Sequence, residues 1–78
     1  MYYIYILKLN NGDFYCGRSD NLKRRLNEHV NGQERTTKKY LPCNLITYIA
    51  FDNKKKSIEF EKYLKTGSGF AFRNKHLI

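Results

Sequence analysis

Two strand-like segments on either side of one turn constrain the fold of this chain more than any other feature. Residues 2–9 (YYIYILKL) are rich in aromatic and β-branched side chains and contain no turn former. Asn10, Asn11 and Gly12 interrupt this run, and a second strand-like segment follows at residues 14–17. The pattern predicts an antiparallel β-hairpin whose first strand is buried.

The length of the hairpin loop decides which tyrosines share a face of the sheet. A two-residue loop of Asn11 and Gly12, in a type I′ turn, places Tyr5 and Tyr15 on opposite faces. A three-residue loop, with Gly12 in the left-handed conformation of a G1 bulge, opposes Leu7 to Tyr15 and brings both tyrosines to one face. The local Asn-Gly pair favours the first loop, whereas a site that uses both tyrosines requires the second.

A helix is predicted directly after the hairpin. Ser19 or Asp20 can accept the free N–H groups of a first turn, so either residue is a candidate cap for a helix over residues 21–30. Asn31 and Gly32 follow this segment and are typical of a left-handed helix end. The hairpin and the helix therefore adjoin with almost no linker.

The apolar face of this helix contains two polar side chains. At 100° per residue, the apolar stripe consists of Leu22, Leu26 and Val30. His29 lies inside the stripe, and Arg25 lies at its edge one turn earlier, so the two side chains should be neighbours. An arginine and a histidine that point toward a core indicate a functional site.

The remaining chain alternates between one more strand-like segment and two helical segments. Asp52 and Asn53 offer a cap for the second helix, and the glycines of the GSG run at residues 67–69 separate it from the third. The predicted elements are an exposed basic loop over 33–42, a strand over 43–51, and helices over 54–65 and 70–77. The order ββαβαα predicts an α+β domain, a three-stranded antiparallel sheet with three flanking helices.

The charge of the chain indicates its partner. It has 15 lysines and arginines against 7 aspartates and glutamates, a formal net charge of +8. A surface this basic attracts polyanions, and nucleic acid is the partner we expect. The alternative is that the positive charge only keeps the protein soluble and binds no specific partner. A membrane partner is not expected, because no basic amphipathic helix with a bulky apolar face is evident.

Membrane and disulfide signals are absent from the sequence. No apolar run reaches the length of a membrane span, and the opening YYIYIL lacks the basic flank of a signal peptide. We therefore expect a cytoplasmic protein. Cys16 and Cys43 are too few for a disulfide scaffold and form no CxxC pair, so both are predicted to be reduced.

The motifs of the hairpin and the first helix resemble those of a known family. YIY at residues 3–5 and YCG at residues 15–17 precede the helix that carries Arg25 and His29. Together with Glu61 in the segment EKYLK, they resemble the GIY-YIG nuclease family, which includes the N-terminal catalytic domains of excision-repair and homing endonucleases. The likeness extends over nearly all 78 residues and implies a single nuclease domain over residues 1–78.

The resemblance favours the three-residue hairpin loop, because the family site uses both Tyr5 and Tyr15. Two positions depart from the family pattern. Tyr3 stands where the first motif has glycine, and Cys16 stands where the second has isoleucine. Neither position carries reacting atoms, so the departures leave the chemistry intact, although a bulky Tyr3 would alter how DNA lies over the sheet.

The resemblance also implies roles for five side chains. Tyr5 is expected to act as the general base, with Tyr15 on the same catalytic face. A phenol titrates near pH ~10, so positive charge nearby would have to lower its pKa. Arg25 is expected to grip the scissile phosphate, with Arg18 as a second phosphate ligand near the helix N-terminus, while His29 orients or relays the proton.

Glu61 is the expected ligand of a divalent metal, Mg²⁺ or Mn²⁺. A single carboxylate makes a weak site, so water and substrate phosphate would complete the coordination. The structural alternative is a surface pair of Glu61 with Lys65 one turn later, and Glu59 lies on another face of the same helix. Lys23 on the first helix and Asn74 on the last are the remaining substrate-binding candidates.

The resulting expectation is a Mg²⁺-dependent endonuclease that hydrolyses DNA phosphodiester bonds in repair or recombination. A protein partner would supply the substrate specificity, since the larger relatives use added DNA-recognition domains. The main alternative is a catalytically silent nucleic-acid-binding module that uses the same basic face. A protein-interaction domain whose charge is incidental is the third hypothesis, and a steep salt dependence of DNA binding would argue against it.

Overall fold

The computed structural model describes residues 1–78 as a three-stranded sheet with helices on both faces. The strands are β1 (Tyr2–Lys8), β2 (Phe14–Ser19) and β3 (Asn44–Phe51), and the helices are α1 (Leu22–Val30), α2 (Lys54–Leu64) and α3 (Gly67–His76). All strand pairs are antiparallel, in the spatial order β2-β1-β3. The predicted α+β architecture and the order ββαβαα are therefore confirmed. None of the helices combines the length and the apolar character needed to cross a bilayer.

The hairpin has the three-residue loop. Tyr15 pairs with Leu7, and the Gly12 N–H donates to the Leu9 carbonyl at 3.0 Å. Gly12 has a φ of 89°, a left-handed conformation that glycine adopts without a steric penalty. Tyr5 and Tyr15 consequently lie on the same face of the sheet, and the prediction based on a shared site is confirmed.

The side chain of Asn11 stabilises this longer loop. Its Oδ1 accepts a hydrogen bond from the Asp13 N–H at 3.0 Å, and its Nδ2 donates to the Asp13 carboxylate, also at 3.0 Å. An asparagine that bonds the backbone two residues later makes an Asx turn. The same residue that suggested a two-residue turn in the sequence therefore supports the three-residue loop.

β1 is the central strand, and both of its faces are covered. Four consecutive side chains in it are at most 2% exposed: Ile4, Tyr5, Ile6 and Leu7. Ile4 and Ile6 share a sheet face with α2, and Tyr5 shares the opposite face with α1, because successive side chains of a strand alternate. This double burial explains why β1 reads as a continuous apolar run rather than as an alternating strand.

An aromatic cluster joins α2 and α3 to the sheet. The ring of Phe60 lies 5.5 Å from Phe51 of β3 and 6.2 Å from Phe72 of α3, between ring centroids. The third helix begins earlier than predicted, because Thr66 caps it by accepting a hydrogen bond from the Gly69 N–H at 3.1 Å. A Cβ at Gly69 would lie 1.7 Å from the Tyr63 carbonyl oxygen, so this glycine permits the close approach of the two helices.

Two details of α1 differ from the prediction. Its cap is Asn21, whose Oδ1 accepts from the Arg24 N–H at 3.0 Å, and neither Ser19 nor Asp20 serves. Ser19 is instead buried and accepts from the Asn21 N–H at 3.0 Å, which fixes the chain entering the helix. Val30 is 63% exposed, so the buried stripe ends at His29.

Candidate active site

The centre of the candidate site is a chain of hydrogen bonds that starts at Tyr5. The Tyr5 hydroxyl lies 2.9 Å from His29 Nε2, and Arg25 Nε donates to Tyr5 Oη at 3.2 Å. Tyr5 and His29 are both completely buried. The spacing of one helical turn places Arg25 and His29 side by side on α1, as the sequence predicted. The register of the hairpin places Tyr5 on the sheet face that packs against both side chains.

Thr37 is a member of this network that the sequence did not reveal. Its Oγ1 lies 2.8 Å from His29 Nδ1, and the residue is completely buried. The prediction of a wholly exposed loop over residues 33–42 is therefore wrong at this point, because the loop folds back over α1 and forms a 3₁₀ turn at Lys38–Tyr40. A threonine in a polar, basic segment carries no local signal of such burial. Tyr5, Arg25, His29 and Thr37 are called the Tyr5 network below.

The hydrogen bonds of the Tyr5 network favour one tautomer of His29. The Tyr5 oxygen already accepts from Arg25, and its phenolic O–H is a stronger donor than the Thr37 hydroxyl. We assign the phenol as donor to Nε2, so that Nδ1–H donates to Thr37 Oγ1. In this arrangement His29 is neutral and is held at both ring nitrogens.

Two carboxylates that the sequence did not single out hold Arg25. Arg25 Nη1 donates to Glu28 at 2.9 Å, and Nη2 donates to Glu34. The hydrogen bond with Glu28 is the main cause that raises the pKa of Arg25, and those with Tyr5 and Glu34 add to it. The pKa of Glu34 is lowered, first by the hydrogen bond from the Thr36 N–H and then by Arg25. All three nitrogens of the Arg25 guanidinium are therefore engaged within the protein.

Burial changes the protonation chemistry expected of Tyr5 and His29. Desolvation raises the pKa of Tyr5 to about 12, although the hydrogen bond and the charge of Arg25 act in the opposite direction. Burial, followed by the charge of Arg25, lowers the pKa of His29. Tyr5 thus keeps its proton near neutral pH and is buried from water, and both features argue against the predicted role of general base.

Tyr15 is the member of the predicted tyrosine pair that reaches the surface. It is half-buried, and its ring centroid lies 5.2 Å from that of His29 and 6.4 Å from that of Tyr5. It also lines a groove of about 350 Å³ along the edge of the sheet at β2, together with Lys65 and Arg73. Tyr15 therefore connects the Tyr5 network to solvent.

A basic pocket lies on the other side of Arg25. It measures about 360 Å³ and brings together both predicted phosphate ligands. Its charged lining residues are Arg18, Asp20, Arg24, Arg25, Glu28 and Lys54. The Arg18 Nε is buried and has no hydrogen-bond partner, since its nearest carboxylate oxygen, on Glu61, lies 3.6 Å away. An unpaired buried donor in a pocket with excess positive charge suits an anion.

Glu61 adjoins this basic pocket from α2. Besides the contact with Arg18, its carboxylate lies 3.5 Å from Lys65 Nζ, so the surface pair foreseen as the structural alternative is also present. No three His, Cys, Asp or Glu side chains cluster closely enough to form a metal cage. A single carboxylate beside the candidate phosphate ligands fits a Mg²⁺ ion that takes its other ligands from water and a phosphate.

The two remaining substrate-binding candidates lie outside the Tyr5 network. Lys23 is exposed on α1 and lines a groove that also contains Tyr3 and Tyr48. Asn74 is exposed on α3, and its Oδ1 accepts hydrogen bonds from Arg73 at 3.1 and 3.3 Å. Cys16 and Cys43 are both half-buried free thiols.

Comparison with known proteins identifies relatives over most of the chain. The UPF0213 protein YsiG of Lactococcus lactis is 35% identical over 65 residues, which cover 82% of this chain and 62% of that protein. A UPF0213 protein of Staphylococcus saprophyticus is 35% identical over 68 residues, which cover 86% of this chain and 83% of the relative. A UPF0213 protein of Limosilactobacillus reuteri is 39% identical over 67 residues, which cover 82% of this chain and 70% of that protein. The chain spans less than two thirds of the length of the Lactococcus lactis protein.

A solved structure and a family model agree with these relatives. The solution NMR structure of the UPF0213 protein BH0048 from Bacillus halodurans superposes with a TM-score of 0.61 at 25% identity, and the match covers 96% of this chain and 84% of that one. The family model of the GIY-YIG catalytic domain matches residues 1–75. The chain therefore belongs to the GIY-YIG nuclease family.

Proposed function

We propose that this protein is a divalent-metal-dependent endonuclease that hydrolyses phosphodiester bonds in DNA. One observation carries the proposal: Arg18 lines the same pocket as Arg25 and lies 3.6 Å from Glu61. Arg25 in turn donates to Tyr5 at 3.2 Å. The candidate phosphate ligands, the candidate metal ligand and the Tyr5 network are thereby contiguous, although they come from β1, β2, α1 and α2.

The charge distribution supports a nucleic-acid substrate. The net charge of +8 attracts a polyanion over the whole surface. The basic pocket concentrates four cationic side chains against two carboxylates, so it offers a specific place for one phosphate. A role in DNA repair or recombination, and a protein partner that selects the DNA structure, are further parts of this proposal.

The two arginines would bind the phosphate in different ways. Arg18 has a buried Nε–H without a partner, which can donate to a phosphate oxygen without breaking an existing hydrogen bond. Arg25 is paired with Glu28 and Glu34, so a phosphate must displace one of these carboxylates to be gripped by its fork. The resulting charge-assisted hydrogen bonds would stabilise the extra negative charge of the pentavalent transition state.

Tyr15 is the better candidate for the residue that contacts the attacking water. Tyr5 is completely buried and its pKa is raised to about 12, so its role is to orient His29 and Arg25. Tyr15 is half-buried, faces solvent along the β2 edge and packs its ring on His29. Its hydroxyl would accept a hydrogen bond from the attacking water and orient the water toward the phosphorus.

Glu61 would hold the Mg²⁺ or Mn²⁺ ion. When bound, the ion neutralises the charge on the phosphate and on the leaving 3′ oxygen. Arg18 and Lys65 lie 3.6 and 3.5 Å from the carboxylate and orient it. The site depends on water and phosphate for its remaining ligands, so metal affinity should be low until DNA is present.

A metal-dependent cleavage assay tests the proposal. Branched, nicked and single-stranded DNA are incubated with the protein in Mg²⁺ and in EDTA, and the same reactions are run with Tyr15→Phe. This change keeps the ring on His29 but removes the hydroxyl, so cleavage should fall by about 10²- to 10⁴-fold. Tyr40→Phe, at an exposed tyrosine away from the site, is the control. Equal cleavage by wild type and Tyr15→Phe would refute the assignment of Tyr15.

A nucleic-acid-binding module without catalysis is the second candidate function. It is favoured by the saturation of Arg25, whose three guanidinium nitrogens already bond Tyr5, Glu28 and Glu34. Salt-dependent DNA binding with no metal-dependent cleavage of any tested structure would establish this alternative.

A further inference from the structure

An apolar groove adjoins the basic pocket on the α1 side of the sheet. It measures about 540 Å³, which lies within the ~300–1,000 Å³ typical of small-ligand sites. The groove is lined by two tyrosines of the sheet, two leucines of α1 and three polar or charged residues: Tyr3, Tyr48, Leu22, Leu26, Asp20, Asn21 and Lys23. These seven residues define what is called the tyrosine groove. None of the roles assigned above uses its aromatic rings.

One tyrosine of the groove stands at a position where this chain departs from the family motif. Tyr3 occupies the position where the first family motif has glycine. Its ring packs edge-on against Tyr48 of β3, with centroids 6.1 Å apart and planes at 62°. Tyr48 is 52% exposed, so much of its ring faces solvent. An exposed aromatic face beside apolar side chains offers a stacking surface for a flat ring.

The tyrosine groove is continuous with the proposed phosphate site. Asp20 lines both the groove and the basic pocket, and its carboxylate lies 3.7 Å from Arg24, which offsets its charge. Lys23 lies on the rim of the groove and is exposed. A nucleotide whose phosphate lies in the basic pocket would therefore place its neighbouring base at the groove, with Lys23 near the phosphate that follows.

We propose that the tyrosine groove binds one unpaired nucleobase next to the phosphate held in the basic pocket. Stacking on an aromatic side chain is open to every base, because each base has a π face, and it requires no sequence readout. A base within a duplex cannot reach the groove, since its two faces are already covered by its neighbours. The preferred ligand is therefore DNA with an extruded or single-stranded nucleotide. This inference rests on the proposed phosphate site.

The test is a comparison of binding affinities in EDTA, where cleavage cannot occur. One duplex carries a single-nucleotide bulge, a second carries an abasic residue at the bulge, and a third is fully paired. Tyr48→Ile keeps a strand-forming residue in β3 but removes the π face. We expect it to weaken binding to the bulged duplex by about 5- to 150-fold, and to leave binding to the paired and abasic duplexes unchanged.

Two further variants make the result specific. Tyr48→Phe keeps the ring and should bind the bulged duplex as the wild type does. Tyr40→Ile removes an exposed tyrosine elsewhere on the surface and should also bind normally. The losses of binding free energy caused by the abasic residue and by Tyr48→Ile should not be additive, because each change deletes the same contact between base and ring.

The proposal is overturned if Tyr48→Ile binds the bulged duplex as tightly as the wild type. It is also overturned if Tyr48→Ile lowers the affinity for all three duplexes equally. A third contrary outcome is a change in the oligomeric state of the variant with no change in its DNA affinity, which would show that the groove is an interface between copies of the chain. These outcomes are independent of catalysis. Loss of the proposed nuclease activity, by contrast, would appear in the Mg²⁺ assay with the binding preference intact.

Discussion

The phenol of Tyr5 lies directly against the backbone of Gly17 on the neighbouring strand. The two residues are opposite each other in the β1–β2 register, and a Cβ at residue 17 would lie 2.4 Å from both Cζ and Oη of Tyr5. Glycine at this position therefore lets the phenol lie across β2 and reach His29. The glycine of the second motif is required by packing, and the Tyr5 network depends on it.

Gly17→Ala should destabilise the protein and disrupt the network. Overpacking at such a contact costs about 1–3 kcal/mol of unfolding free energy, and displacement of Tyr5 would also abolish cleavage. Gly67→Ala is the control, because a Cβ there meets nothing within 4 Å. Both variants can be compared by urea unfolding. Equal stabilities of Gly17→Ala and Gly67→Ala would show that the contact is not tight in solution.

Thr37→Val should leave His29 Nδ1 without a partner while preserving the shape of the side chain. A buried donor left unsatisfied costs about 1–3 kcal/mol, and the imidazole should lose its single tautomer. Thr37→Ser, which keeps the hydroxyl, should restore both properties. Thr47→Val, at a half-buried threonine of β3, serves as the matched control. Imidazole nitrogen shifts measured by NMR report the tautomer directly, and an unchanged spectrum in Thr37→Val would contradict the assignment.

Glu34→Gln should strengthen DNA binding, because loss of the carboxylate charge leaves Nη2 of the Arg25 guanidinium free to donate to a phosphate. We expect an affinity gain of roughly tenfold, which corresponds to about 1.4 kcal/mol. Glu59→Gln removes the same charge from an exposed position on α2 and controls for the change in net charge. If the two variants gain the same affinity at the same salt concentration, the carboxylate of Glu34 does not compete with the phosphate.

Glu61→Gln separates an enzyme from a binding module. Loss of the carboxylate removes the metal ligand, so cleavage should fall by orders of magnitude while DNA affinity is kept. Stability should change little, since an exposed pair such as the one with Lys65 contributes only about 0.3–0.5 kcal/mol. Glu59→Gln should cleave normally. Comparable cleavage by wild type and Glu61→Gln, in Mg²⁺ and in EDTA alike, would show that the activity came from a contaminant.

Acid should destabilise the protein through His29. Burial, and then the charge of Arg25, lowers the pKa of His29 in the folded state below its ordinary value of 6.5. Below pH 6.5 the unfolded chain therefore binds a proton that the folded chain does not, so the free energy of unfolding falls as the pH falls. The slope should approach about 1.36 kcal/mol per pH unit. In His29→Gln this slope should disappear, and its persistence would assign the acid sensitivity to another group.

Local patterns in the sequence were sufficient for the framework of the site. The hairpin, the helix with Arg25 and His29 one turn apart, and the Asn53 cap of α2 all follow from repeats and caps that depend on neighbouring residues. These features are set by backbone geometry, which is the same in every protein. They sufficed to predict the element order and the side-by-side placement of Arg25 and His29.

Contacts between distant segments were decided only by the tertiary structure. Glu34 and Thr37 enter the site because a polar loop folds back over α1, and no periodic pattern specifies how such a loop packs. Burial of its side chain raises the pKa of Tyr5 to about 12 and moves the proposed contact with the attacking water to Tyr15. Desolvation depends on every neighbour in space, so local patterns in the sequence placed Arg25 and His29 side by side on one helix, whereas the packing of distant segments decided which groups surround them and which remain in contact with solvent.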